Sequence, residues 1–145
     1  MRALREGIGA VVGAVDFVHF LPSDLPKAVA SSSSTRWIRT HLAHLGLTGA
    51  FGDHIYSGRE HVERGKPAPD IYVHAADQLD VPIRDCVILE DSEVGATGAL
   101  ASGARVIGLA AGRHCVDGHA DALRALGVEE IANSFDEVRR LLDLG

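Results

Sequence analysis

Cys86-Val87-Ile88-Leu89-Glu90-Asp91-Ser92 is the stretch that decides how this chain folds. Four apolar residues run straight into two adjacent carboxylates. Ser92, a favoured helix N-cap, then opens a helical pattern that reaches Ser102, with Gly103 as its stop. A buried strand followed at once by a helix is the repeating unit of a parallel α/β sheet, and ligands of such sheets bind outside the carboxyl ends of the strands. Glu90 and Asp91 therefore sit where a binding site is expected.

The same unit recurs on both sides. Upstream, Lys27-Ala28-Val29-Ala30 runs apolar into Ser31-Ser32-Ser33-Ser34, and an amphipathic stretch from Thr35 to Leu45 carries Trp37, Ile38, Leu42 and Leu45 on one side. His54-Ile55-Tyr56-Ser57 is a second short strand, and Pro69 suits the first turn of a helix reaching Leu79. Downstream, residues 104–109 form another strand, and helices over 120–126 and 135–144 flank a small strand at 130–132. This alternation predicts an α/β fold, a doubly wound Rossmann-like parallel sheet with helices on both faces. Residues 10–21 read as a helix, with Val11, Val15, Val18 and Leu21 at helical spacing, although the density of valine keeps a strand as the alternative.

At 145 residues and 46% hydrophobic content the chain suffices for one buried core. No apolar run approaches the roughly 18 residues that span a bilayer. Two cysteines, Cys86 and Cys115, imply no disulfide framework, and a cytoplasmic protein is the plain reading. A formal charge of −6 argues against a nucleic-acid partner, since phosphate backbones are met by clustered Lys and Arg.

Three groups carry the chemistry. Ser31 follows a strand and precedes a helix, so its hydroxyl and the amides around Ser32 form an anion site of the helix-N-terminus type, or else simply cap the helix. Lys66 lies between Gly65 and Pro67, flanks that fix where an ammonium points, as a phosphate-neutralising lysine requires; a solvated loop lysine is the alternative. Glu90-Asp91 places two carboxylates together, which is costly unless a cation compensates, and suits Mg²⁺ held with phosphate oxygen and water. Its alternative is charge stabilisation of the helix that Ser92 begins. His114, Cys115, Asp117 and His119 fit no zinc spacing and read as surface residues of a loop.

Together, Ala28-Val29-Ala30-Ser31-Ser32-Ser33, Gly65-Lys66-Pro67-Ala68-Pro69-Asp70-Ile71-Tyr72 and Ile88-Leu89-Glu90-Asp91-Ser92, with Gly95, Ala99, Gly103 and Val106, resemble the haloacid dehalogenase-like superfamily, in particular its phosphatase and β-phosphoglucomutase-like branch. The resemblance implies a Mg²⁺-dependent phosphoryl-transfer hydrolase acting on a small phosphorylated metabolite. Ser31 and Ser32 would bind the phosphoryl group with Lys66, Ser31 and Lys66 would serve catalysis, and Glu90 and Asp91 would hold the metal. The family's nucleophile belongs to an Asp-x-Asp motif on a first strand, and Asp16 is followed by Val18 where a second aspartate is required. Residues 1–22 are accordingly expected to be the remnant of a cap-to-core linker and helix, and 23–145 an incomplete α/β core. Such a chain is expected to be inactive alone, or to serve as a non-catalytic phosphate-binding, metal-binding or association module. The missing strand would lie between those ending at Ser31 and Glu90. The resulting edge predicts self-association or partner binding, unless the two strands pair directly or residues 10–18 enter between them.

Overall fold

The computed structural model describes residues 18, 21, 25–47, 49–110 and 118–142. Along them run β1 (Val29–Ser31), α1 (Thr35–His44), β2 (Ile55–Ser57), α2 (Asp70–Leu79), a 3-10 turn (Ile83–Asp85), β3 (Val87–Glu90), α3 (Glu93–Ser102), β4 (Arg105–Leu109), α4 (His119–Ala125), β5 (Glu130–Ala132) and α5 (Phe135–Leu141).

Helix boundaries follow local chemistry. Ser34 Oγ accepts from the Trp37 amide at 3.2 Å, Ser92 Oγ from Gly95 at 3.0 Å and Ser134 Oγ from Glu137 at 3.2 Å, so α1, α3 and α5 each begin where a serine satisfies an orphan donor. Gly103, at φ +91°, ends α3. In α2, Ile71, Tyr72, Ala75 and Ala76 share the buried stripe.

All strand pairs are parallel, in the order β1-β2 in one sheet and β3-β4-β5 in another. Alternate residues of each strand feed opposite faces. Val29, Ile55, Leu89 and Ile107 join Ile38 and Leu42 of α1 and Phe135 and Val138 of α5 in one core cluster. Ala30, Tyr56 and Val106 join Ile71 and Tyr72 of α2, Ala96 and Ala99 of α3 and Leu123 of α4 in the other. Helices thus cover both faces, as the sequence predicts.

Two strand boundaries differ from the sequence reading. The first strand lies at 29–31 rather than 27–30, because the Gly58 amide donates to Ser31 O at 2.7 Å and carries the ladder one residue further. Likewise β3 includes Glu90. The sheet is divided: among the described residues β1 and β3 do not pair. Consistent with that division, burial along β3 is graded, from Val87 at 39% exposed to Glu90 fully buried. Of the segment 10–21 only Val18 and Leu21 are described; Val18 is helical and buried, and Asp16 lies outside the described residues.

Candidate active site

The carboxyl ends of β1 and β3 converge on one ammonium. Lys66 Nζ donates to Ala30 O at 3.3 Å and to Glu90 Oε2 at 3.1 Å, with a side chain only 1% exposed. It also lies 5.1 Å from the centroid of the Tyr72 ring, within cation–π range. The loop that carries Lys66 passes against α3, with Pro67 and Ala68 beside Gly98. Gly98 permits that approach: a Cβ there would stand 2.7 Å from Ala68 O and 3.0 Å from Pro67 O.

Glu90 is the hub. Its Oε2 accepts from Tyr72 Oη at 2.7 Å as well as from Lys66. Its Oε1 accepts from the Ser92 hydroxyl and the Asp91 amide, both at 3.2 Å, and from the Ser92 amide at 3.4 Å. A fully buried carboxylate is tolerated only when paired and hydrogen-bonded, and this one is both. Gly95 makes room for it, since a Cβ at that position would fall inside the volume of the carboxylate. Asp91 follows directly and is also fully buried.

Ser31 is buried, and its Oγ accepts from the Ser33 amide at 3.0 Å, so the serine turn wraps the end of β1. Ser32 is half-buried. The first turn of α1 has a tenant: Glu60, from the loop after β2, accepts from the Thr35 amide at 2.5 Å and from the Thr35 hydroxyl at 3.0 Å. These bonds hold the Glu60 carboxyl below the usual glutamate range. Ser34 rather than Ser31 is the side-chain cap.

Ser31, Lys66, Glu90 and Asp91 therefore share one rim. Two carboxylates and one ammonium, with hard oxygen donors, fit a divalent cation such as Mg²⁺, which needs only one or two protein carboxylates. Among the described residues no group of three or more His, Cys, Asp or Glu side chains could hold a metal ion, so Glu90 and Asp91 could supply only part of a coordination sphere.

Three contributors were not singled out from sequence. Tyr72 sat in a recognised motif without a role. Glu60 had no signal. The sequence reading makes His119 a surface loop residue; instead it opens α4, is half-buried, and donates from Nε2 to Asp91 O at 2.7 Å, which requires the proton on Nε2. His114, Cys115 and Asp117 lie outside the described residues. Three histidines gather around Tyr56: His54 Nδ1 bonds its hydroxyl at 2.7 Å, and His61 and His74, each edge-on to the Tyr56 ring, stack with centroids 5.7 Å apart.

The profile of the family described as haloacid dehalogenase-like hydrolase matches residues 3–103. Hexitol phosphatase A of Escherichia coli is 31% identical over 134 residues, covering 92% of this chain and 57% of that protein. A solved haloacid dehalogenase-like protein of unknown function from Agrobacterium tumefaciens is 33% identical with a TM-score of 0.84, covering 92% of this chain and 60% of that one. A hydrolase of the same family from Deinococcus radiodurans, solved with bound phosphate and sodium, is 36% identical with a TM-score of 0.78, covering 91% and 58%. The chain thus spans little more than half the length of these relatives.

Proposed function

The chain belongs to the haloacid dehalogenase-like hydrolases, and from that premise we propose that its site is built for Mg²⁺-dependent phosphoryl transfer from a small phosphorylated metabolite in the cytoplasm, as in a phosphatase or phosphomutase. The observation that carries this reading is the buried Lys66 held between the ends of β1 and β3, 3.3 Å from Ala30 O and 3.1 Å from Glu90. Phosphoryl transfer asks a protein chiefly for positioning and charge neutralisation. Ser31 and the neighbouring Ser32 backbone offer donors to the phosphoryl oxygens, and Lys66 neutralises charge beside them. Asp91, with Glu90, would hold the cation, whose chemistry is to draw charge from the phosphoryl oxygens. Glu90, already bonded to Lys66, Tyr72 and Ser92, mainly fixes the ammonium in place.

No Asp-x-Asp occurs anywhere in these 145 residues, so nothing here replaces an activated carboxylate nucleophile. By itself the chain is therefore proposed to bind without turning over. A second reading, a non-catalytic phosphate- or metal-binding or association module, is favoured by the separation of β1 from β3 among the described residues. The domain division at residues 22 and 23 remains part of the proposal, with 23–145 as the core.

Calorimetry with Mg²⁺ and inorganic phosphate tests the site. Wild type should bind both weakly, Asp91→Ala should lose Mg²⁺, and Lys66→Ala should lose phosphate. Equal Mg²⁺ binding by wild type and Asp91→Ala removes the metal assignment. Robust Mg²⁺-dependent turnover of a phosphate ester, abolished by Asp16→Asn, overturns the claim of inactivity.

A further inference from the structure

Charge is shared unevenly along this chain. Residues 25–52 hold three of its 14 Lys and Arg and none of its 20 Asp and Glu, which leaves 11 against 20 in the rest. Two of the three cations, Arg36 and Arg39, stand on the outward side of α1, away from the buried Ile38 and Leu42. Arg64, Arg105, Arg124 and Arg139 each meet a carboxylate, whereas among the described residues Arg36 and Arg39 form no ion pair. Glu60, the carboxylate at the first turn of α1, is bonded instead to the amide and hydroxyl of Thr35. The sequence reading puts Trp37 on the buried stripe of the helix, but the structure leaves it 49% exposed, with the His41 ring 4.7 Å from its own. Helical spacing sets Arg36, Thr40 and His44 in the middle row of the outward face, Trp37 and His41 in the row beside it and Arg39 on the other flank.

We propose that the outward face of α1 docks a short acidic segment of a partner protein, with one aromatic side chain against the Trp37 indole and carboxylates on the Arg36 and Arg39 guanidiniums. Trp and Arg are the side chains that most often dominate interface energies, and a guanidinium can take a carboxylate through two parallel hydrogen bonds. An indole already steadied by a neighbouring ring loses little freedom on binding. The length of the segment follows from the helix. Ten residues at a rise of about 1.5 Å make about 15 Å, which about five extended residues cover. The charge distribution separates such a segment from a longer polyanion. A nucleic acid would extend beyond α1 and meet the negative excess of the remaining chain, whereas a five-residue segment stays on the basic face. The inference stands apart from the phosphoryl-transfer reading, because it uses none of the side chains at the rim.

Trp37 is the only tryptophan of the chain, so indole fluorescence reads this face directly. The probe is the acetylated and amidated peptide Glu-Asp-Phe-Glu-Asp, titrated into the full 145-residue chain. In the free chain acrylamide should quench the indole readily, and the peptide should shield it and shift its emission. Raising the ionic strength from about 0.1 M to about 1 M cuts the screening length from about 10 Å to about 3 Å and should weaken binding at least about tenfold. The double variant Arg36→Gln/Arg39→Gln should also bind at least about tenfold more weakly. Arg84→Gln, at an exposed arginine of the 3-10 turn, should bind as wild type does. Any of five results overturns the proposal: an indole shielded from acrylamide in the free chain, which means the chain itself covers α1; shielding that grows with chain concentration, which means a second copy does; no response to the peptide; the same affinity in the double variant as in Arg84→Gln; or an equal response to Lys-Lys-Phe-Lys-Lys or to a single-stranded DNA oligonucleotide.

Discussion

Replacing Gly95 with alanine sets two effects of opposite sign against each other. On helix propensity alone, Gly95→Ala within α3 should stabilise the chain by about 1 kcal/mol. The new methyl, however, would occupy the volume of the Glu90 carboxylate. That carboxylate cannot step aside freely, because Lys66 holds it at 3.1 Å and Tyr72 at 2.7 Å. Hydrogen bonds to a charged group are worth about 1.5–3 kcal/mol each, and overpacking a dense core costs about 1–3 kcal/mol. Losing one such bond and part of the packing, less the propensity gain, leaves a net loss of about 2–4 kcal/mol. At about 3 °C per kcal/mol for a domain of this size, Tm should fall by about 6–12 °C. Thermal unfolding followed by circular dichroism measures it. The decisive arm is a double-mutant cycle: in a Glu90→Ala background the methyl meets no carboxylate, and Gly95→Ala should become neutral or stabilising. A wild-type-like or raised Tm for the single variant, or strict additivity in the cycle, refutes the packing argument.

Other variants probe the same network. Tyr72→Phe removes one donor to the buried Glu90 and should cost about 1.5–3 kcal/mol in urea unfolding; an unchanged midpoint would deny the 2.7 Å bond. His119→Ala should weaken Mg²⁺ affinity several-fold in calorimetry with little change in stability, since its contact is to the backbone of Asp91, and equal affinity would show that contact to be idle. Glu60 has a lowered folded-state pKa, so its cap on α1 contributes fully above the ordinary glutamate range and is lost as pH falls through the lower folded value. A carboxyl titration by NMR in which Glu60 titrates at the ordinary glutamate value would remove the cap.

What the sequence made legible was what its chemistry settles locally. Ser92 and Gly103 bracket α3 because an N-cap and a left-handed terminus act within one turn. Glu90 and Asp91 stood out because adjacent carboxylates after an apolar run demand compensation, and the structure buries both completely. Lys66 was legible from its rigid flanks. The contacts that stayed hidden span long separations: 28 residues between Asp91 and His119, 25 between Thr35 and Glu60. Tyr72 was hidden differently, since its place on the buried stripe of α2 looks the same whether its hydroxyl works or merely tolerates burial. The division of the sheet was anticipated, but the grading of burial along β3 was not, because an apolar run does not say which of its backbone edges is covered.

The charge pattern at the rim sets an order on any ligands that use it. Among the described residues, two buried carboxylates, Glu90 and Asp91, accompany one buried ammonium, Lys66, a formal excess of one negative charge. A phosphate ester arriving at that rim meets repulsion from Asp91 that Lys66, already committed to Glu90 at 3.1 Å, only partly offsets. A divalent cation beside Asp91 reverses the formal sign to one positive charge, and the serine donors at the end of β1 then face an anion drawn inward. On the proposed metal assignment Glu90 has a task distinct from that of Asp91: its charge fixes Lys66 at 3.1 Å, whereas Asp91 would carry the charge that favours a cation first. Substituting Glu90→Gln should then disturb the position of Lys66 and the stability of the chain more than its cation affinity, and Asp91→Asn should do the reverse. A calorimetric and thermal comparison in which both variants lose cation affinity and stability alike would mean the two carboxylates act as a single unit.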